Sequence, residues 1–150
     1  MRTFLTALGA VVLCFGATGC HRSTNAATAS PIVGVWLVKV PEAPFGYHMF
    51  TFHSDGTVLQ SNPDAGDANS SDSNGMGVWT ADGDQIKGKF VEVTADRTTH
   101  QFASRGEISF VIKVTGNTLS GAASANFYDA SGQRIRGPLA ATMTGERIMP

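Results

Sequence analysis

The chain has 150 residues, enough for one domain with its own hydrophobic core. Its 12 acidic side chains nearly balance 11 lysines and arginines, which argues against a nucleic-acid-binding protein, since such proteins carry a marked basic excess. Glycine is abundant, with 17 residues, and charged residues make up only 15% of the chain, as is typical of a β protein with many turns.

The N-terminus has the pattern of an export signal. Arg2 precedes an uncharged apolar run over residues 4–17, which is shorter than the roughly 20 residues of a membrane-spanning helix. The run ends in the letters ATGC at residues 17–20, which resemble the lipobox of bacterial lipoproteins. The resemblance implies cleavage after Gly19 and attachment of lipid to the Cys20 sulfur. The alternative is an ordinary cleaved signal with an incidental cysteine.

Three segments follow from this interpretation. We predict a lipoprotein signal peptide over residues 1–19, a lipidated cysteine with a flexible tether over residues 20–30, and one β-barrel domain over residues 31–150. The tether is predicted because its residues are small and polar without apolar periodicity. We therefore expect an exported protein, held at the cell envelope through lipid on Cys20, at the outer membrane if the source is Gram-negative. No nucleic-acid partner is expected, and the oligomeric state stays open.

Eight strand patterns follow residue 31, with turn residues between them and no helical apolar period. In chain order the predicted strands cover residues 33–40, 47–53, 57–61, 76–81, 85–94, 99–114, 118–128 and 133–148. Residues 62–75 are predicted to form a long polar loop. Gly106 is predicted to bend the sixth strand, because glycine inside a strand marks a bulge or a kink.

Short hairpin turns make consecutive strands antiparallel neighbours, which can close into a barrel or fold into a sandwich. Closure removes the exposed strand edges. In the sixth predicted strand, Ile108, Phe110 and Ile112 share one side, while Arg105 and Glu107 share the other, so one face is expected to be buried. We predict an all-β fold, a single eight-stranded antiparallel up-and-down barrel.

Two short motifs lie on the first and last predicted strands. Gly34-Val35-Trp36 lies on the first and Arg147 lies late on the last. This pattern resembles that of the calycins, the superfamily of the lipocalins. The resemblance implies that Trp36 closes one end of a barrel and that Arg147 stacks on its indole through a cation–π contact. A second Gly-x-Trp, at residues 77–79, opens the fourth strand.

The resemblance to lipocalins is incomplete. The chain lacks their Thr-Asp-Tyr type segment and the C-terminal helix that packs on their barrel. Small barrels of the allene oxide cyclase and dirigent type are a second comparison.

The histidines and the acidic loop do not favour a metal site. His48 and His53 are five residues apart on one predicted strand, so they face opposite sides, and we interpret them as surface or rim residues. Asp64, Asp67 and Asp72 in the polar loop do not have the spacing of a calcium-binding loop. No metal ion and no other cofactor is predicted.

One group of charged residues lies in the middle of two neighbouring predicted strands. Glu92, Arg105 and Glu107 would form a polar cluster suited to acid–base chemistry if their common face pointed inward. They would be surface ion pairs if it pointed outward. Because Ile108 and Phe110 favour the inside themselves, we predict the outward placement and no catalytic residue.

Candidate cavity or mouth residues are Phe45, Tyr47, His48 and Glu92. Phe45 and Tyr47 belong to a proline-rich segment between the first two strands, which would frame the mouth of a barrel or pack as an ordinary turn. Residues 121–125, on the seventh strand, are all small. A wall of small residues leaves interior space, either for a ligand or for phenylalanines from other strands.

The sequence thus favours an envelope lipoprotein whose barrel binds a small hydrophobic ligand. An isomerase- or cyclase-type enzyme in a similar small barrel is one alternative, and it requires Glu92 or His48 beside an open cavity. A non-catalytic envelope scaffold with a filled barrel is another, and it predicts no cavity and a large exposed apolar patch. A binding module is preferred to an enzyme.

Overall fold

The structure is a computed structural model that describes residues 30–61 and 68–150. The predicted signal peptide, Cys20 and the tether up to residue 29 lie outside the described residues. Within them the chain forms nine strands and no helix long and apolar enough to cross a membrane. The strands are β1 (Gly34–Lys39), β2 (Tyr47–Phe52), β3 (Thr57–Ser61), β4 (Ser70–Asp72), β5 (Gly75–Asp82), β6 (Gln85–Asp96), β7 (Phe102–Thr115), β8 (Thr118–Tyr128) and β9 (Arg134–Arg147).

Eight of these strands close into a barrel in the order β1-β2-β3-β5-β6-β7-β8-β9, and β9 returns to pair with β1. Every pairing is antiparallel, and the closing pair places Trp36 opposite Arg147. The prediction of an eight-stranded antiparallel up-and-down barrel is therefore confirmed. Its short hairpins, such as the Asp55-Gly56 turn between β2 and β3, explain why each strand pairs with its neighbour in the sequence.

The additional strand β4 corrects the prediction of an uninterrupted loop over residues 62–75. It pairs with the end of β6 that extends beyond β5, with Ser70 opposite Asp96. Ser73 continues the contact, because its N–H donates to the Val93 carbonyl and its hydroxyl accepts from the Val93 N–H. The side chains of β4 are only partly buried, so the strand can be polar. Its composition therefore did not indicate a strand.

The turn between β6 and β7 also differs from the prediction. β6 runs to Asp96, and β7 begins at Phe102 rather than at residue 99. The Asp96 carboxylate accepts hydrogen bonds from the backbone N–H groups of Thr98 and Thr99. Such a side-chain turn satisfies backbone donors that would otherwise extend the strand.

One end of the barrel, here called the plugged end, is filled by Trp36 and its neighbours. Trp36 is fully buried, and its indole N–H donates to the Ile32 carbonyl over 2.7 Å. The Arg147 guanidinium carbon lies 4.3 Å from the centroid of the Trp36 ring. Arg147 also donates to the backbone carbonyls of Val33 and Pro31. This is the contact that the calycin resemblance implies.

The second Gly-x-Trp segment supports the same end. The Trp79 indole N–H is shared between the carbonyls of His53 and Thr57, at 3.1 and 3.0 Å. Gly34 is required beside Arg147, since its φ is +135° and a Cβ there would lie 2.6 Å from the Arg147 Nη1. Two tryptophans, each hydrogen-bonded to backbone, therefore close this end.

A layer of aromatic rings lies across the middle of the barrel. Neighbouring rings have centroids 5.7 to 6.4 Å apart. The layer, called the aromatic layer below, consists of Phe50, Phe52, Trp79, Phe90 and Phe110. Edge contacts such as Phe50 with Phe90 are the favourable geometry for aromatic pairs. The layer separates the plugged end from the other end of the barrel, called the open end.

Candidate functional site

Beyond the aromatic layer, the open end of the barrel holds a cavity of about 610 Å³. This volume lies within the ~300–1,000 Å³ that proteins use for drug-sized ligands. Phe50 and Phe90 of the aromatic layer form its floor, and Phe45 and Phe127 belong to its walls.

Small side chains on β8 and β9 make the cavity possible. Ala123, Ala125 and Ala141 face the interior there and leave it unfilled. At the mouth, Ile135 and Leu139 face the cavity, yet they are 56% and 38% exposed. The interior is therefore reached from solvent through an apolar rim.

Four phenylalanines that are candidates to fill this space lie in three different places. Phe110 lies in the aromatic layer, whereas Phe102 is exposed on the surface. Phe90 and Phe127 line the cavity without filling it.

His48 lies inside the barrel, in the wall of the cavity. It shares the inward face of β2 with Phe50 and Phe52 and is only 9% exposed. Its ring lies 4.9 Å from the ring of Phe45. His48, one of the candidate cavity residues, thus lies in the cavity wall, and its interpretation as a surface or rim residue is wrong, whereas His53, just after β2, is exposed.

A glutamine on β3 fixes the hydrogen bonding of His48. Gln60 is 1% exposed, and its Oε1 accepts from the Gly75 backbone N–H over 3.2 Å. That contact assigns the amide orientation, so the Gln60 Nε2 donates to the His48 Nδ1 over 2.8 Å. The His48 proton must then be on Nε2.

The His48 Nε2 is buried and has no hydrogen-bond partner among the described residues. Burial is the main cause that lowers the pKa of His48 below its ordinary value, and a hydrogen bond with the Phe45 backbone opposes it in part. The wall of the cavity therefore contains an N–H donor without a well-formed hydrogen bond among the described residues. Gln60 was missed in the sequence, although it alternates with the apolar Val58 and so occupies an inward position.

Glu92 also faces the cavity, from β6. It follows Phe90 at the strand period of two and lies opposite Gly106 on β7. A Cβ at Gly106 would lie 2.9 Å from the Glu92 Oε1, so this glycine makes room for the carboxyl group. Strand pairing continues through Gly106 without a register shift, so the strand has no β-bulge at this glycine.

Burial is the main cause that raises the pKa of Glu92 to about 7, and the Asp72 carboxylate adds to it. The prediction that Glu92 points outward is wrong, because inward Ile86 and Phe90 fix the face of β6 on which it lies. A carboxyl group with a pKa near neutrality inside a cavity can take up or release a proton there.

Arg105 and Glu107 lie on the outside of β7, so the three charged residues do not share a face. Glu107 pairs with Arg105 and with Lys89 at N–O distances of 3.2 and 3.3 Å. The hydrogen bond from Lys89 is the main cause that lowers the Glu107 pKa. Glu92 does not share a face with Glu107, because the register places Glu107 opposite Val91 and not opposite Glu92.

Two further candidates lie elsewhere. Tyr47 is on the outer face of β2, beside Leu37 and Lys39, and is 55% exposed. It does not belong to the cavity wall with Phe45. In the acidic segment, Asp72 accepts a hydrogen bond from the Thr94 hydroxyl over 2.7 Å.

Asp64 and Asp67 lie outside the described residues. Within residues 30–61 and 68–150, no group of three His, Cys, Asp or Glu side chains is placed to hold a metal ion.

The charged residues that line the cavity are mostly acidic. Glu42 accepts hydrogen bonds from the backbone and hydroxyl of Thr142, which lower the pKa of Glu42. Asp72 lies near Glu92 on the wall. Arg136 is the basic residue of the cavity lining, and its guanidinium carbon lies 5.6 Å from the Phe127 ring centroid.

Comparisons of the chain with protein-family models, with curated proteins and with solved structures find no match. The cavity and the side chains that line it are therefore the features from which a function can be inferred.

Proposed function

We propose that this protein binds a small, largely apolar molecule in the cavity of its barrel, and that it does so at the cell envelope, where lipid on Cys20 holds it. The observation that carries the binding proposal is the open cavity of about 610 Å³ beyond the aromatic layer. Ligand sites combine apolar walls with a few placed polar groups, and here His48 and Glu92 are such groups.

The cavity also separates this proposal from a scaffold with a filled barrel. A scaffold requires side chains to fill the interior, but Ala123 and Ala125 leave it empty. Apolar residues are exposed at the mouth, as Ile135 and Leu139 are, and also on the outer wall, as Met76 is. It is therefore the cavity, and not the exposed apolar surface, that favours capture of a small molecule over docking of a protein.

Native mass spectrometry of the full-length protein, extracted from its host envelope in mild detergent, tests the binding proposal. We expect a discrete added mass that is lost on gentle activation, and we expect it to return after incubation with host lipid extract. An Ala125→Leu variant, with a side chain added to the cavity wall, should lose the added mass. An apo mass throughout would overturn the proposal.

The envelope proposal rests on the lipobox resemblance at residues 17–20. Attachment of two or more acyl chains would hold the protein firmly, since each buried methylene contributes about 0.8 kcal/mol. The test is fractionation of cells that express the wild type or Cys20→Ala. We expect the wild type in the membrane fraction, with a lipid mass on the peptide that begins at Cys20. A soluble wild type without that mass would reject the anchor.

A proton-transfer enzyme is a second candidate, favoured by the Glu92 carboxyl group inside the cavity and its pKa of about 7. Glu92 would remove a proton from the carbon beside a carbonyl group and return it to the same or a neighbouring carbon. NMR of small ketones in heavy water tests this. Exchange of those protons for deuterium should be faster with wild type than with Glu92→Gln. Equal rates for the two proteins would exclude this chemistry.

A further inference from the structure

We propose that the molecule in the cavity is uncharged and carries a carbonyl oxygen, and that the His48 Nε2–H donates a hydrogen bond to this oxygen. The inference rests on the proposed binding function and names the chemical class of the ligand. It is argued from three features: the orientation of the Gln60 amide, the burial of His48, and the charges that surround the cavity.

The Gln60 amide leaves His48 only one way to hydrogen-bond a ligand. The Gly75 N–H occupies the Gln60 Oε1, so the Gln60 NH₂ faces the His48 Nδ1. A proton on Nδ1 would bring two donors together. Both the other tautomer and the imidazolium are thus disfavoured, and Nε2–H remains a donor that cannot accept.

Burial makes that donor selective. His48 is 9% exposed, its Nε2 has no well-formed hydrogen bond within the described chain, and Phe45 packs beside its ring, so an acceptor reaches the N–H after a small shift of the side chains that cover it. An N–H group buried without an acceptor costs more free energy than a hydrogen bond usually returns. A ligand that supplies a lone pair at this point removes the cost, whereas an alkane leaves it in place.

The charges around the cavity select against an anionic head group. Glu42 and Asp72 belong to the lining, Glu92 is partly ionised deeper between β6 and β7, and Arg136 provides one positive charge against them. A carboxylate ligand would meet this excess of negative charge. A carbonyl group carries no charge and only accepts, so the His48 N–H alone satisfies it. An alcohol also requires an acceptor for its own hydrogen, and an ammonium group has no lone pair to accept from the His48 N–H.

The test is displacement of an uncharged environment-sensitive dye from the full-length protein by ligands of equal chain length. The ligands are a methyl ketone, the alkane, the primary alcohol, the carboxylic acid and the primary amine. We expect the ketone to bind at least about tenfold more tightly than each of the others, because a buried unpaired donor is worth that factor. His48→Phe should remove the preference. His48→Gln retains an N–H donor and a partner for Gln60, and should keep part of it.

NMR of the imidazole nitrogens in the wild type provides a measurement that does not depend on a variant. The free protein should show an Nε2–H tautomer. The ketone should move the Nε2–H resonance to lower field, and the alkane should not.

The outcomes separate the two proposals. If the alkane, alcohol, acid or amine binds as tightly as the ketone, or if the tautomer is Nδ1–H, the carbonyl assignment is overturned while binding of apolar molecules stands. If no member of the series displaces the dye, both proposals fail.

Discussion

The two ends of the barrel share the same antiparallel pairing but differ in how their interiors are filled. At the plugged end, Trp36 and Trp79 fill the space and place their indole N–H groups on backbone carbonyls. At the open end, alanines take the inward positions, and the His48 Nε2 has no partner among the described residues.

Strand pairing alone therefore does not determine whether a small barrel is hollow. An eight-stranded barrel is just wide enough for its side chains or for one small ligand, so the size of the inward residues decides between the two. Polar groups follow the same division. At the plugged end every indole donor is paired within the fold, whereas at the open end Glu92 and His48 keep polar atoms for a ligand.

Removal of the indole at the plugged end should have the largest effect on stability. Trp36→Ala deletes a fully buried side chain together with its hydrogen bond and its contact with Arg147. We expect the free energy of unfolding to fall by about 3–5 kcal/mol in urea titrations. Tyr47→Ala, on the outer face of neighbouring β2, is the control and should stay within about 0.5 kcal/mol of wild type. A similar loss in both variants would contradict the role of Trp36 as a plug.

At the open end, Glu92 should make the stability of the fold depend on pH. The pKa of Glu92 rises from 4.5 in the unfolded chain to about 7 in the fold, so between these values the folded state holds a proton that the unfolded state has lost. The contribution of Glu92 to the free energy of unfolding is complete below pH 4.5 and is lost as pH rises through about 7. The loss is on the order of 3 kcal/mol.

Urea titrations at several pH values compare wild type with Glu92→Gln. His48, whose pKa is lowered by burial, favours the opposite trend, so the difference between the two proteins isolates Glu92. Glu107→Gln, on the outer surface, should keep the wild-type profile above pH 4.5, because the lowered pKa of Glu107 changes stability only at more acidic pH. A profile of Glu92→Gln that matches wild type would place the carboxyl group in water.

Arg147→Lys separates the effect of positive charge from that of the guanidinium geometry at the plugged end. Lysine keeps the positive charge near Trp36 but cannot reproduce the planar guanidinium and its bonds to the carbonyls of Val33 and Pro31. We expect a loss of about 1–2 kcal/mol in thermal or urea unfolding. Arg134→Lys, exposed on the same strand, should be neutral. Equal stability of the two variants would mean that charge alone matters at position 147.

Ala125→Leu should make the open end resemble the plugged end. The larger side chain adds apolar volume to the cavity wall, and we expect a gain of about 1 kcal/mol in stability together with at least about tenfold weaker binding of the dye. Ala122→Leu, which points outward on the same strand, is the matched control and should bind normally. If Ala125→Leu also binds normally, the ligand does not enter the cavity at this wall.

The sequence predicts the barrel well because its information is local. Asp55-Gly56 and the other tight turns fix which strands pair, and the alternation of Ile108, Phe110 and Ile112 fixes the buried face of β7. Trp36 and Arg147 meet because the first and last strands of a closed barrel are neighbours. These conclusions require only strand order and a period of two.

The site was harder to predict because it depends on register between strands. The alternation of Phe50 and Phe52 would have been enough to place His48 inside. The fit of Glu92 opposite Gly106, and the hydrogen bond that orients Gln60 through Gly75, require the pairing of β6 with β7 and of β3 with β5. A turn of several residues leads into β7, and a long polar segment separates β3 from β5, so the sequence leaves these registers open.

The chain both enters and leaves the barrel at the plugged end. The Val33 N–H donates to the Ser30 carbonyl just before β1, and the Ile148 N–H donates to the Val35 carbonyl just after β9. A bead, a fused domain or a lipid joined at either position would therefore lie on the side away from Ile135 and Leu139. Immobilised in this way, the protein presents its mouth outward, and molecules exchange with the surrounding solution and not with the support.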